Sequence, residues 1–380
     1  MCFGKKKPAK NPGDPPRVFN VATKSPPKVE KRDSKPDLIS TASEKYRRKE
    51  EELKTDELDM TQRGELEEEW AWNVDYKKDD RPIWVMDDRH DEYMIRWFDK
   101  KKKDTRKEWK EDYKELRRMW TGARISIYGT AENGVECQLD NHVELKGDYI
   151  HANYVGIPSN QKRFICTQTP KESTKKAFWA MVKQEKVEQI VIMDIVSDTK
   201  YWPLIQSEKV RIGDGLHVTL MKHHKRSINR VDEYILKLTW GSKKRAGEHT
   251  VSIYHLNRDM KWSNEQYTAC MLHIVWNNKN PVVVHDTNGV GMSGVLIAAA
   301  LIHEKMYNLD DCSDIKSIVH ELRCQRYRMI DTFLDYWCIL KTLFWFFEKD
   351  CGYNSGRRLR MKKRLMEVSK TQDDTDTGPG

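Results

Sequence analysis

The most informative pattern along the chain is a short apolar run that breaks into a glycine-rich loop and resumes as a longer apolar segment. Val282, Val283 and Val284 form the run, and residues 294 to 302 resume it. The short run predicts a buried strand, and the longer one predicts a buried helix. Residues 285 to 293 then form a loop whose backbone N–H groups converge at a helix N-terminus, an arrangement that binds anions.

A second apolar pattern predicts a helix that packs against the core. Trp109, Tyr113, Leu116 and Trp120 recur at spacings of three and four residues. That spacing places all four side chains on one face of a helix. We therefore expect these four side chains to be buried.

The segment before this helix is highly charged. Residues 41 to 92 form a helix-prone extension that is rich in Glu, Lys and Arg and carries three tryptophans, Trp70, Trp72 and Trp84. Such a segment is a solvated helix unless it meets a partner. The tryptophans are compatible either with a latch that holds the extension on the domain or with an exposed docking surface.

The glycine-rich loop resembles the signature of the protein tyrosine phosphatases, His-Cys-Ser-x-Gly-x-Gly-Arg-Ser/Thr-Gly. In this chain the corresponding residues are His285, Asp286, Thr287, Asn288, Gly289, Val290, Gly291, Met292, Ser293 and Gly294. The glycines allow unusual backbone dihedrals and close approach by a ligand. A strand, a glycine loop and a helix occur in many nucleotide-binding folds, so the resemblance needs support from other segments.

That support comes from five blocks that follow the family's order. They are similar to D-Y-I-N-A-N-Y, Y-I-A-T-Q-G-P, D-F-W-x-M-V, Y-W-P and R-x-x-R-P-x-M-V-Q-T, and here they occupy residues 147–155, 164–170, 177–182, 201–203 and 323–332. The resemblance implies an α/β fold with a central twisted mixed sheet flanked by helices. It also predicts a phosphatase-like domain over residues 93 to 350.

The family's chemistry requires a cysteine thiolate, a phosphate-binding arginine, a general acid and a glutamine that positions water. The resemblance places Asp286 at the cysteine and Met292 at the arginine. It places Asp331 at the glutamine, with Asp335 at a second glutamine. Asp259 alone stands at its expected position, that of the general acid.

These departures predict an inactive phosphatase-like domain that binds or scaffolds partners bearing tyrosine or phosphotyrosine. Its phosphate cradle would comprise His285, Thr287, Asn288, Gly289, Val290, Gly291 and Ser293. The alternative is residual or unusual phosphotyrosine hydrolysis through Asp286 or Asp259. The family's Lys-Asn-Arg-Tyr motif does not occur, so Tyr128 is the nearest candidate ring for stacking on phosphotyrosine. His142 stands near a position where the family usually has arginine.

Length and cysteine usage fit an intracellular protein with one large domain. The chain has 380 residues and eight cysteines, which are scattered without a CxxC pair or a metal-ligand spacing. This usage favours reduced thiols rather than disulfides or a metal centre. We expect no metal and no cofactor. No apolar stretch reaches the length of a membrane span.

The net charge of +9 lies in the two tails. Residues 1 to 36 carry ten Lys/Arg against three Asp/Glu, and residues 353 to 380 carry seven against four. We predict that residues 1 to 40 and 351 to 380 are disordered. The N-terminal tail is compatible with a solubility tail or with an adaptor for anionic membranes, and Cys2 beside the lysines is a candidate lipidation site. We expect a cytoplasmic protein, peripheral to a membrane if the tail binds one, and no nucleic-acid partner.

Overall fold

The structure is a computed structural model, and it describes residues 88–101, 104–122, 125–126, 134–194, 201–226, 231–241, 246–256, 263–275 and 278–350. The chain divides into two compact units, residues 1–72 and 73–380, and every described residue belongs to the second. The predictions for the two tails, for Cys2 and for most of the 41 to 92 extension lie outside the described residues. Asp259 and Tyr128 lie outside them as well.

The described residues form seven helices and ten strands. The helices are α1 Asp88–Lys101, α2 Arg106–Leu116, α3 Lys175–Gln184, α4 Asn264–Val275, α5 Met292–Tyr307, α6 Ile315–Gln325 and α7 Phe333–Asp350. The strands are β1 Ile125–Ser126, β2 Cys137–Gln138, β3 Ala152–Ile157, β4 Asn160–Gln168, β5 Gln189–Ile192, β6 Lys209–Gly213, β7 Leu216–Arg226, β8 Val231–Trp240, β9 Gly247–Leu256 and β10 Val282–Asp286.

Eight of the strands form one mixed sheet, in the order β3-β4-β10-β5-β9-β8-β7-β6. Strand β10 lies between β4 and β5 and is parallel to both. Strands β6 to β9 pair antiparallel in sequence order, as do β3 and β4. This mixed sheet flanked by helices confirms the predicted α/β fold class. It also places the end of β10 in the interior of the sheet.

Both faces of β10 are covered, which explains why its sequence is an unbroken apolar run. Val282 and Val284 pack into one hydrophobic cluster, with α4, α5 and α7, whereas Val283 packs into a second cluster with α3. All three valines are fully buried. Successive side chains of a strand point to opposite faces, so a strand covered on both sides needs no polar alternation.

Helix α2 confirms most of the predicted apolar face and corrects one residue. Thr105 caps the helix, because its hydroxyl accepts a hydrogen bond from the N–H of Glu108 while its own N–H donates to the Glu108 carboxylate. Trp109, Tyr113 and Leu116 are buried. The prediction for Trp120 is wrong, since the helix ends at Leu116 and the Trp120 side chain is 87% exposed.

No described helix combines the length and the hydropathy that crossing a bilayer requires.

Candidate phosphate-binding loop

The loop between β10 and α5 begins at Asp286 and ends where Met292 opens the helix. Gly289 has a φ of +67°, and a Cβ atom added there would lie 2.3 Å from the Thr167 carbonyl oxygen on β4. Any residue other than glycine would therefore clash with a backbone atom. This close approach to β4 explains why position 289 of the motif is a glycine.

The Asp286 carboxylate fills the loop from within. Its Oδ1 accepts hydrogen bonds from the backbone N–H groups of Asn288 at 3.1 Å and Gly289 at 2.5 Å. Its Oδ2 accepts one from Ser293 at 2.8 Å, in the first turn of α5. The residue is only 8% exposed. Converging donors of this kind normally hold an external anion, and here a side chain of the loop itself occupies them.

His285 is fixed at the end of β10 and is neutral. Its Nδ1 lies 3.1 Å from the Thr169 hydroxyl, and its Nε2 lies 2.8 Å from the Tyr201 hydroxyl. Burial, with a smaller contribution from His255, lowers the pKa of His285 to about 3. An uncharged ring in this position orders the loop without attracting an anion.

A buried guanidinium holds the loop from the side of the sheet. Arg326 is fully buried, and its Nε donates to the Gly289 carbonyl oxygen at 2.5 Å. Its Nη2 reaches the Asn288 carbonyl oxygen at 3.3 Å, and its Nη1 donates to the Asn153 side chain at 2.9 Å. Burial and the nearby Arg326 charge lower the pKa of His151 to about 4. Sequence reasoning placed Arg326 in a matching block but assigned it no contact with the loop.

One further carboxylate, that of Asp335 in the first turn of α7, lies near the loop. Asp335 accepts hydrogen bonds from the N–H and the hydroxyl of Thr332, at 3.1 and 2.8 Å. A Cβ atom added at Gly291 would lie 3.7 Å from Oδ2 of Asp286 and 3.8 Å from Oδ2 of Asp335. Burial, with smaller contributions from Asp286 and Asp331, raises the pKa of Asp335 to about 6. Asp286 and Asp335 thus place two carboxylates close to Gly291.

Comparison of the sequence with models of known protein families shows the family to which this loop and fold belong. The family model described as Protein-tyrosine phosphatase matches residues 131–345, which is more than half of the chain. The chain belongs to the protein-tyrosine phosphatase family. A solved structure of a Trypanosoma cruzi protein tyrosine phosphatase matches with a TM-score of 0.54 and 18% identity, over 65% of this chain and 95% of that one. That match supports the fold alone.

The chain is similar both to proteins named as tyrosine phosphatases and to proteins named as inactive ones. The mouse tyrosine-protein phosphatase non-receptor type 5 is 27% identical over 48% of this chain and 35% of its own length. The inactive protein-tyrosine phosphatase egg-4 of Caenorhabditis elegans is 26% identical over 59% of this chain and 30% of its own length. The chain spans about a third of the length of each of these relatives.

Two buried cysteines, Cys166 on β4 and Cys137 on β2, are the next candidates for a nucleophile. Cys166 on β4 lies behind the loop, with its Sγ 3.3 Å from the Gly289 carbonyl oxygen, and burial raises its pKa to about 12. Cys137 on β2 lies 3.7 Å from the Asn153 side-chain oxygen, and burial raises its pKa as well. Burial thus disfavours the thiolate form of both cysteines, and the thiolate is the nucleophilic form.

Three further positions that the sequence singles out, Met292, Asp331 and His142, make contacts within the domain. Met292 is partly buried and packs against the hydrophobic cluster that contains α5. Asp331 forms a bidentate ion pair with Arg328, at 2.9 and 2.8 Å. His142 stacks on Tyr149 with ring centroids 5.1 Å apart. Within the described ranges, no group of three or more acidic, histidine or cysteine side chains is arranged to hold a metal ion.

Removing the Asp286 carboxylate is expected to change stability and anion affinity in opposite directions. Asp286→Ala leaves three N–H donors without their acceptor, two of them in buried hydrogen bonds, which should lower the free energy of unfolding by about 1 to 3 kcal/mol. The same change removes a negative charge, so added phosphate should raise the melting temperature of the variant more than that of the wild type. Thermal unfolding with and without phosphate measures both effects.

The matched control is Asp331→Ala, because that carboxylate pairs with Arg328 and accepts none of the three loop N–H groups. Its gain in phosphate protection should be smaller. An Asp286→Ala protein that is as stable as the wild type and gains nothing from phosphate would show that the loop does not hold anions.

The raised pKa of Asp335 predicts a pH-dependent stability difference. The folded pKa of about 6 exceeds the ordinary value of 3.8, so the folded state binds the proton more tightly. The resulting stabilisation is present below pH 3.8 and is lost as the pH rises to about 6. Asp335→Asn, which stays neutral, should therefore be more stable than the wild type at pH 7.5, by about 1 to 3 kcal/mol.

Denaturant unfolding of both proteins at pH 7.5 and pH 4.5 measures this difference. The advantage of Asp335→Asn should shrink at pH 4.5, where the wild-type carboxyl is largely protonated. An advantage that is equal at the two pH values would contradict the assigned ionisation.

Proposed function

We propose that this phosphatase-family domain does not hydrolyse phosphotyrosine and instead binds tyrosine-bearing segments of partner proteins. The observation that carries the proposal is the Asp286 carboxylate, which accepts hydrogen bonds from three backbone N–H groups of the loop. An intramolecular anion thus occupies donors that the family uses for phosphate. The existence of family relatives named inactive, such as egg-4 and egg-5, supports this reading.

The first argument concerns the nucleophile. The family's reaction begins when a thiolate at the position of Asp286 attacks phosphorus. A carboxylate there has its oxygens engaged by N–H donors and carries charge that repels the phosphate dianion. Cys166 and Cys137 do not replace the missing thiolate, because burial raises the pKa of both thiols.

The second argument concerns the phosphate clamp. Met292 stands where the family has its bidentate arginine, and it packs on the hydrophobic core. Arg326 does not take over this role, since its guanidinium donates to the Gly289 and Asn288 carbonyl oxygens and to the Asn153 side chain. Removing one electrostatic donor from an active site costs a factor of about 10² to 10³ in rate. The combined loss of nucleophile and clamp should abolish turnover.

The third argument concerns the ligand. Two like unit charges about 4 Å apart repel by about 1 kcal/mol in water and about 4 kcal/mol near a protein surface. Phosphate entering the loop would approach Asp286 and Asp335, whose Oδ2 atoms lie 3.7 and 3.8 Å from the point that a Cβ atom at Gly291 would occupy. A neutral tyrosine side chain meets no such repulsion. The proposed ligand is therefore a segment whose tyrosine is unphosphorylated.

Turnover by the purified protein tests the loss of catalysis. We expect no hydrolysis of an aryl phosphate above that of a heat-inactivated sample, because both the thiolate and the guanidinium are missing. Asp286→Cys should remain inactive, since the arginine at position 292 is still absent.

Vanadate-sensitive hydrolysis that Asp286→Ala abolishes would establish an aspartyl nucleophile and overturn the inactive assignment. Hydrolysis by Asp286→Cys alone would show that position 292 does not need arginine.

Binding of matched peptides tests the proposed ligand. The phosphotyrosine peptide should bind more weakly than its unphosphorylated counterpart, because its phosphate is repelled by the carboxylates near the loop. Asp286→Asn, which removes the charge at nearly constant size, should raise the affinity for the phosphorylated peptide selectively, by roughly tenfold for a relief of about 1.4 kcal/mol. Isothermal titration calorimetry measures all four affinities.

A wild-type protein that prefers the phosphotyrosine peptide, with no gain in Asp286→Asn, would contradict the proposed charge discrimination. If neither peptide bound, the ligand would not be a tyrosine side chain.

A further inference from the structure

Strand β7 is longer than the strand that covers its outer side. Strand β6 pairs with β7 from Leu216 to Thr219. In the turn before β6, the Ser207 N–H donates to the Leu220 carbonyl oxygen, and the Glu208 carbonyl oxygen accepts from the Leu220 N–H. Strand β8 continues along the inner side to the pair of Arg226 with Val231. Among the described residues, no strand pairs with the outer side of residues 221 to 226, which we call the β7 edge.

The β7 edge has backbone groups available for pairing. In an antiparallel ladder, alternate residues direct their N–H and C=O groups away from the paired neighbour. Residues 221 to 224 are all exposed, so solvent reaches this part of the strand on both of its faces. An exposed edge of this kind is a template for an additional strand.

Apart from Met221, every residue of the β7 edge is a lysine, an arginine or a histidine. It contains Lys222, Lys225 and Arg226, together with His223 and His224. No Asp or Glu occurs between positions 214 and 232. The only acidic partner recorded for a described side chain of the edge is Asp232, whose Oδ2 lies 3.4 Å from His223 Nε2.

An exposed apolar group lies beside the start of the edge. Ile205 is 70% exposed, Leu204 54% and Met221 43%. The turn that carries the first two is fixed to β7, because the Ser207 N–H donates to the Leu220 carbonyl oxygen at 2.7 Å. The edge thus combines an unpaired backbone, positive charge and apolar side chains in one place.

We propose that the β7 edge docks an extended acidic segment of a partner protein, which adds to the sheet as a further strand. The backbone ladder supplies affinity, acidic side chains of the added strand face Lys222 and its basic neighbours, and an apolar residue covers Ile205 and Met221.

A second copy of this chain is a poorer occupant of the β7 edge. Two such edges in register would place basic side chains opposite basic side chains, and like charges in a cross-strand pair are destabilising. The β-bulge between Leu220 and Lys222 and the lysines themselves are features that discourage edge-to-edge self-association. The same charges favour an acidic strand.

A fluorescein-labelled peptide of eight alternating glutamate and valine residues tests the proposal on the full chain by fluorescence anisotropy. We expect saturable binding. A peptide of equal charge with prolines in place of two central valines should bind at least roughly tenfold more weakly, because proline cannot donate to the ladder. Lys222→Glu and Ile205→Asp should each lower the affinity for the alternating peptide by roughly tenfold.

The matched control is Lys146→Glu, an exposed lysine that precedes β3, at the opposite edge of the sheet. It should bind the alternating peptide like the wild type, and all variants should keep the wild-type melting temperature. Binding of the tyrosine peptide should not change in Lys222→Glu, which separates this site from the loop at Asp286.

Three results would overturn the proposal. Equal binding of the proline peptide would reduce the effect to charge attraction without strand addition. Binding of phosphatidylserine vesicles that Lys222→Glu abolishes, without binding of the peptide, would assign the edge to a membrane surface. A dimer in sedimentation experiments that Lys222→Glu dissociates would assign it to a second copy.

Discussion

The loop between β10 and α5 depends on the hydrogen bonds that the Asp286 carboxylate accepts from Asn288, Gly289 and Ser293. Backbone N–H groups that converge in a buried turn need an acceptor, because an unpaired buried donor costs about 1 to 3 kcal/mol. In a phosphate-binding loop the ligand meets this need only while it is bound. Here a carboxylate of the chain itself is the acceptor, and it meets this need without a ligand.

This internal anion has consequences for the charged groups around it. Arg326 stays behind the loop and binds its carbonyl oxygens, so its positive charge organises the backbone and is not offered to a ligand. On the other side, burial and the charges of Asp286 and Asp331 favour the protonated form of Asp335 and raise its pKa. The site therefore retains the scaffold of a phosphate-binding loop, and under the proposed function its carboxylates would repel phosphate. A change at position 286 alone would reverse only part of this, since Met292 supplies no charge.

The sequence predicted the fold well because the fold depends on patterns of apolar and polar positions, which many different side chains can satisfy. The apolar run of β10, the buried α5 and the blocks around β3, β4 and α3 are set by burial, and they occur where the resemblance implied. Trp120 shows the limit of predictions from periodicity. The apolar spacing of three and four residues continues to Trp120, whereas the helix ends at Leu116. The bonds that Asp286 accepts follow from its position, whereas the contacts of Arg326 and the raised pKa of Asp335 depend on packing between segments far apart in sequence. No local pattern encodes that packing.

Catalysis and recognition place different demands on this fold. Hydrolysis needs a nucleophile and a cation at two exact positions, whereas recognition needs a rigid backbone and surfaces of suitable charge. The buried contacts of His285 with Thr169 and Tyr201 and of Arg326 with Asn153 maintain the rigid backbone, and none of them involves a reacting atom. The fold accommodates Asp286 and Met292 without a loss of contacts, because the carboxylate satisfies the loop donors and the methionine packs on the core. The binding role that we propose therefore depends on the charge and shape of the surfaces that this rigid backbone holds in place.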